Sequence, residues 1–237
     1  MKITRHTRVV VALLALISLA SMTRAEDAKS PKAQVLFDGK STAGWKQCGP
    51  GSFEVKDGAL VSKGGMGLFW HEKELADFVL TFEWNAASAK ANSGVFVRFP
   101  DPGNDPWKAV KQGYEIQIHD AARKNRTGSV YNVAEATAFA SKPAGEWNTY
   151  EIKAVGQQYT IKLNGTLVNE FTGKLAARGF IGLQNHDDGS IVSFRNVQVV
   201  ELAPQAKGEA KPAEPAKPQA TRQELGRTPQ AAKATSR

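Results

Sequence analysis

The chain has 237 residues and a formal net charge of +8, but that charge sits at its two ends: Lys2, Arg5, Arg8 and Arg24 face no acid at the start, and the Lys/Arg residues of the tail outnumber its Glu. Between Glu26 and Leu202 the basic and acidic residues balance, so the middle of the chain carries no basic footprint for nucleic acid and no nucleic-acid partner is expected. Cys48 is the sole cysteine, which excludes an intrachain disulfide and leaves stability to an apolar core.

In chain order, Lys2, Arg5 and Arg8 precede an apolar run from Val9 to Ala20, and Thr23 and Ala25 supply small residues around a cleavage point. The run is shorter than the roughly 20 apolar residues of a bilayer span. Residues 1–25 therefore read as a signal peptide rather than a stable membrane anchor, and the protein is expected to be exported, periplasmic or extracellular. The bland alternative is an uncleaved N-terminal anchor.

From there the sequence alternates with period two, the signature of half-buried strands. Residues 77–84 place Phe78, Leu80, Phe82 and Trp84 on one face. Residues 94–99 turn Val95, Val97 and Phe99 inward, and 114–119 do the same with Tyr114, Ile116 and Ile118. Further strands are predicted at 149–154, 159–163 and 191–199. Asp57-Gly58 and Asn164-Gly165 each separate two such runs, as two-residue hairpin turns demand. Single helical turns are predicted at 71–76 and 105–110. Trp45 and Trp147 are assigned to the core. Many short strands with close turns imply an all-β sandwich or barrel. Residues 203–237 hold Leu225 as their only large aliphatic residue after a run of Ala, Pro, Lys and Glu. Such a tail cannot offset its ordering entropy, so it is read as a disordered, solvated linker or tail, with weak, salt-dependent contact to acidic polymers as the lesser alternative.

Alternation also sorts the polar residues. With Val95, Val97 and Phe99 inward, Arg98 turns the other way; with Tyr114, Ile116 and Ile118 inward, so do Glu115, Gln117 and His119. A guanidinium, a carboxylate, an amide and an imidazole on neighbouring strands suit a hydroxyl-rich ligand; an ordinary solvated sheet face fits the same pattern. The run Gln184-Asn185-His186-Asp187-Asp188-Gly189 is a candidate for binding sugar or a metal ion, or a plain loop. His71 and Glu72 follow Phe69-Trp70, a sugar-stacking platform or core. Gly64 to Gly67 lacks the Lys-Ser/Thr of a phosphate loop and reads as a flexible turn.

Taken in order, Leu36-Phe37-Asp38-Gly39-Lys40 with Gly44-Trp45, Asn92-Ser93-Gly94-Val95-Phe96-Val97-Arg98, Gly113-Tyr114-Glu115-Ile116-Gln117-Ile118, Gly145 to Ile152, Leu163-Asn164-Gly165, Gly182-Leu183-Gln184-Asn185-His186 and Val192 to Val197 form a distinctive series. The series resembles the 3-keto-disaccharide hydrolase domain family from about Val35 to Leu202. The resemblance implies a single concanavalin A-like jelly-roll β-sandwich over 34–202 and action on glycosides oxidised at C3. His119 stands where an aliphatic residue would be expected before Asp120, which argues against a catalytic role for it. A ketone at C3 acidifies the C2 proton, so one base and a donor to the enolate oxygen suffice. On this reading Glu115 is the base, Arg98 the oxyanion or positioning group and His186 an acid, with Gln117, His119, Glu72, Gln184 and Asn185 binding the carbohydrate substrate. The reading fixes no cofactor and leaves a divalent metal ion open, with either His119 or His186 as a candidate ligand. The rival from another class is a non-catalytic carbohydrate-binding module. A retaining glucanase of the laminarinase type would need more carboxylates than the single one in Glu115-x-Gln117-x-His119.

Overall fold

A computed structural model describes residues 32–203; the expected signal peptide and all but the first residue of the expected tail lie outside them. The described residues form β1 (Gln34–Phe37), β2 (Trp45–Cys48), β3 (Ser52–Lys56), β4 (Ala59–Lys63), β5 (Gly67–Leu75), β6 (Phe78–Ala86), β7 (Ser93–Phe99), α1 (Trp107–Gln112), β8 (Tyr114–Ile118), β9 (Asn148–Val155), β10 (Gln158–Leu163), β11 (Thr166–Thr172), β12 (Gly179–Asn185) and β13 (Val192–Glu201). The strands make two antiparallel sheets. One runs β11-β10-β9-β6-β13-β4-β3, with β1 added along β13; the other runs β2-β5-β12-β7-β8. Together they form the concanavalin A-like sandwich.

The hairpins form where the turn chemistry puts them. Asp57 and Gly58 adopt φ of 51° and 78°, and Asn164 and Gly165 adopt 50° and 80°. Positive φ at both central positions matches the right-handed twist of the flanking strands. β6 alternates buried and half-buried residues without a break, so Phe78, Leu80, Phe82 and Trp84 enter the space between the sheets. There they join Tyr150 and Ile152 of β9, Phe194 of β13, and Val95, Val97, Tyr114, Ile116, Ile118, Ile181 and Leu183 from the other sheet.

The five-stranded sheet is covered on both faces. Its side away from the sandwich core carries a second apolar cluster, Cys48, Leu68, Trp70, Phe96 and Phe99, capped by Ala109 and Val110 of α1 and by Phe180. This is why every residue of β7 and of β8 is buried. Burial on both faces also accounts for Trp70, which belongs to this cluster.

Alternation breaks at one place that matters. Along β7 and β12, Val97 pairs with Ile181 while Phe99 pairs with Phe180, so Arg98 is the extra residue of a β-bulge. Its φ is 55°. One inserted residue reverses which face every later side chain takes. Phe99, expected with Val95 and Val97, instead joins the second cluster. Arg98 is fully buried. Its guanidinium donates to the Ala76 carbonyl at 2.6 and 3.1 Å, to the Tyr159 hydroxyl at 3.0 Å and to the Gly156 carbonyl, and pairs with the Asp77 carboxylate at 3.1 Å. Gly179 is what lets β12 pass the bulge: a Cβ there would lie 2.6 Å from the Arg98 carbonyl carbon.

Two smaller expectations also change. Residues 71–75 are the end of β5, not a helical turn, because His71 is paired on one side with Trp45 and on the other with Ile181; ladder hydrogen bonds on both sides override the local sequence. Trp45 is buried and donates its indole N–H to the Leu36 carbonyl at 2.7 Å. Trp147 is only half-buried and outside the core, with the Arg195 guanidinium stacked 3.9 Å from its ring.

Candidate functional site

The site lies on the outward side of the five-stranded sheet. Gly182 pairs with Trp70 on one side and Phe96 on the other, and Phe96 pairs with Glu115. One row along, Gln184 pairs with Leu68 and Gly94 with Gln117. The rows therefore pass from apolar to polar across the sheet, and a cavity of about 380 Å³ opens where they change. It is lined by Met66, Asn92, Trp107, Val110, Glu115, Gln117, Tyr131, Gln184 and His186.

Glu115 forms the polar wall and is only 6% exposed. Its side chain lies across Gly94: a Cβ at that position would meet Glu115 Oε1 at 2.6 Å and Cγ at 2.7 Å. A glycine in a strand interior often marks such a close approach. Burial pushes the Glu115 carboxyl up to about 8, and the Gln184 amide beside it pulls the other way without offsetting that penalty. Gln117 donates Nε2 to Asn92 Oδ1 at 3.0 Å, which leaves Nδ2 as the free end of Asn92. The side-chain oxygens of Gln117 and Gln184 are buried without a hydrogen-bond partner. A buried acceptor left unpaired costs about 1–3 kcal/mol, so these two oxygens favour a ligand that brings hydroxyl donors.

His186 stands at the same cavity with Nδ1 2.6 Å from Asp187 Oδ2. Asp187 also accepts from the Gly189 N–H at 2.8 Å and the Ser190 hydroxyl at 3.1 Å. The bond to His186, foremost, holds the Asp187 carboxyl below its ordinary value. An ionised Asp187 fixes the ring and directs the Nδ1 proton toward itself, which leaves Nε2 to exchange protons. His119 is partly buried beside this pair. Burial first, and the neighbouring His186 second, lower its tendency to carry a proton. Its backbone N–H is held by the Thr127 hydroxyl, itself bound to Asp120.

Glu115, Gln117, Gln184 and His186 are thus brought together as the sequence suggests, with His119 behind His186. Arg98, Asn185 and Glu72 are not. The bulge sends Arg98 into the interior, where its donors are taken. Asn185 is buried with Nδ2 donating to the Gly64, Lys63 and Ser52 carbonyls at 2.6, 2.8 and 3.3 Å; it anchors the turn that carries Met66. Glu72 is exposed and pairs with Lys46 at 3.1 Å. Sequence reasoning overlooked Met66, Asn92, Trp107, Val110, Tyr131 and Asp187. Asn92 and Asp187 sat in motifs already singled out; Trp107 and Tyr131 lie in irregular or barely helical segments where periodicity assigns no face. Among the described residues no three His, Cys, Asp or Glu side chains converge as a metal-binding group.

Solved structures share this architecture. Two provisionally named glycosyl hydrolases from Parabacteroides distasonis superpose with TM-scores of 0.63 and 0.61 at 22% and 26% identity, each over 72% of this chain and over 94% and 100% of their own. The carbohydrate-binding module CBM66 from Bacillus subtilis superposes with a TM-score of 0.53 at 17% identity, over 67% of this chain and 96% of its own, a likeness of fold alone. Comparison with curated proteins finds no match. The sequence profile of the 3-keto-alpha-glucoside-1,2-lyase-like domain matches residues 32–200, the whole sandwich, and the chain belongs to that family.

Proposed function

We propose that the protein is an exported enzyme that cleaves glycosides oxidised at C3 of the sugar, through removal of the C2 proton and elimination of the C1 substituent. The observation that carries this reading is a single buried carboxylate. Among the described residues Glu115 is the only acid lining the cavity, whereas hydrolysis of an ordinary glycoside by the common route takes two. Elimination takes one base.

In the proposed sequence Glu115, once ionised, accepts the C2 proton. The C–H electron pair moves onto the C3 oxygen as an enolate, with Asn92 Nδ2 as an amide donor to that oxygen. The enolate then collapses: C3=O re-forms, a C1=C2 double bond appears, and the C1–O bond breaks with its electron pair on the departing oxygen. His186, protonated at Nε2 and braced by Asp187, supplies that oxygen with a proton. Addition of water across C1=C2 would give the free 3-keto sugar and make the net reaction a hydrolysis. A base whose proton affinity lies near ambient pH is suited to such a transfer. The sugar hydroxyls satisfy the lone acceptors of Gln117 and Gln184.

Incubation with a 3-keto-glycoside tests this directly. Elimination gives a conjugated enone, visible in the ultraviolet, and a C2-deuterated substrate reacts more slowly if proton removal limits the rate. Two free sugars without early solvent deuterium at C2 would overturn the elimination and keep a hydrolase. Binding without any cleavage would identify a carbohydrate-binding module. Glu115→Gln is expected to lower kcat at least 100-fold with the fold intact.

A further inference from the structure

The cavity is half apolar, and the proposed chemistry uses only its polar half. Met66, Trp107, Val110 and Tyr131 line the remainder. Trp107 is 52% exposed and Tyr131 39%, in a domain whose other cavity-side aromatics, Trp70, Phe96 and Phe99, are packed away. Neither placement is accidental. Trp107 opens α1, whose inner side is held down by Ala109 and Val110 on the second apolar cluster. Tyr131 donates its backbone N–H to the Glu115 carbonyl at 2.9 Å, and the adjacent Val130 bridges Ile116. The scaffold thus fixes two open aromatic side chains at the rim of a cavity that also holds a buried carboxylate. Their rings offer flat apolar surface and no charge. Such surface suits the C–H face of a pyranose ring or an aryl ring.

We infer that Trp107 and Tyr131 form a leaving-group subsite, which selects 3-keto-glycosides whose C1 substituent presents a flat, partly apolar face, either a second sugar ring or an aryl group. The inference rests on the proposed reaction, because it assigns the oxidised ring to the Glu115 side of the cavity and the departing group to the aromatic side. A small alkyl substituent cannot span to the rings and gains nothing from them.

The test uses the Glu115→Gln protein, in which substrate persists, and measures by calorimetry the binding of methyl, glucosyl and phenyl 3-keto-glucosides. The glucosyl and phenyl compounds are expected to bind roughly five- to tenfold more tightly than the methyl compound. Trp107→Ala in the same background should abolish that gap while leaving the methyl compound unchanged; loss of the gap for only one of the two flat compounds identifies its ring as the type the subsite takes, and a gap kept for both overturns the subsite. Equal affinity for all three overturns the subsite alone. Failure of the wild-type protein to cleave any of the three compounds overturns the proposed reaction instead, and with it the assignment of the two halves. A second measurement guards against a folding defect in the double variant. With Glu115 intact, the ratio of kcat/KM for glucosyl over methyl substrate should fall about fivefold in Trp107→Ala and in Tyr131→Ala relative to wild type. Leaving-group chemistry cancels in that comparison, and an unchanged ratio overturns the subsite.

Discussion

Glu115 carries a conflict that the rest of the fold sustains. A carboxyl buried against Phe96 and across Gly94 holds its proton up to about pH 8, against the ordinary value of 4.5. Two outcomes follow. The proposed reaction needs this carboxyl ionised and His186 protonated, so kcat/KM should rise as pH climbs toward about 8 and fall again once His186 gives up its proton, a bell that stopped-flow or steady-state rates across pH 5–10 would reveal. For stability the sign is opposite. Between about 4.5 and 8 the unfolded chain releases this proton while the native protein keeps it, so the favourable contribution is complete below about 4.5 and is lost as pH rises through about 8. The full effect is on the order of 5 kcal/mol. Glu115→Gln should therefore match wild type in urea denaturation at pH 4 and exceed it at pH 9. Equal stability at both would show that the carboxyl is not desolvated. Gly94→Ala tests the same site from beneath: the added methyl must displace the carboxylate, so kcat should drop at least tenfold with a stability loss of about 1–3 kcal/mol from overpacking.

At the scale of elements, the bulge in β7 governs what each strand presents. Its ion pair is the part that can be tested. Arg98→Met leaves the Asp77 carboxylate with the Gly156 N–H, 2.9 Å away, but without its cation, and should cost about 3 kcal/mol in the unfolding free energy. Unchanged stability would mean that the backbone holds the bulge unaided. The bulge also marks the limit of what the sequence makes legible. Strict alternation reveals β6, β8 and β9, and Asp57-Gly58 and Asn164-Gly165 reveal their turns, because period and positive φ are local properties. The facing of Glu115 and Gln117 is readable for the same reason. Arg98 is not, since an inserted residue leaves no trace in its own polarity and shows only in the pairing of β7 with β12. Trp107 and Tyr131 escape for a related reason: their exposure is set by what α1 and the Val130 bridge pack upon, which is tertiary information. Glu72 and Asn185 look like site residues by type, and each is engaged elsewhere, on Lys46 and on the turn after β4.

On the scale of the whole molecule, the described strands run from Gln34 to Glu201 with one continuous core between the sheets. A chain reduced to residues 26–203 should therefore melt within a few degrees of the longer protein and cleave at the same rate. A large fall in Tm would show that the tail packs on the sandwich. If residues 1–25 are a cleaved signal peptide, as proposed, fractionation of cells expressing the full chain should find the protein beyond the cytoplasmic membrane and shortened at its N-terminus by about that length.

The five-stranded sheet shows alternate residues to the sandwich core and the others to the second apolar cluster and the cavity beside it. Change on one side need not disturb the other, so new ligand contacts can be acquired by drift among cavity-side residues while the core-side set preserves foldability. Arg98 is where this independence ends. By adding one residue to β7 it puts Phe99 on the face opposite to the one strict alternation gives it, and deleting it would leave Phe99 there but strip the half-buried Asp77 of its cation and the Ala76 and Gly156 carbonyls of their donor. The protein can explore new sugars by substitution far more freely than by any change of length at that point.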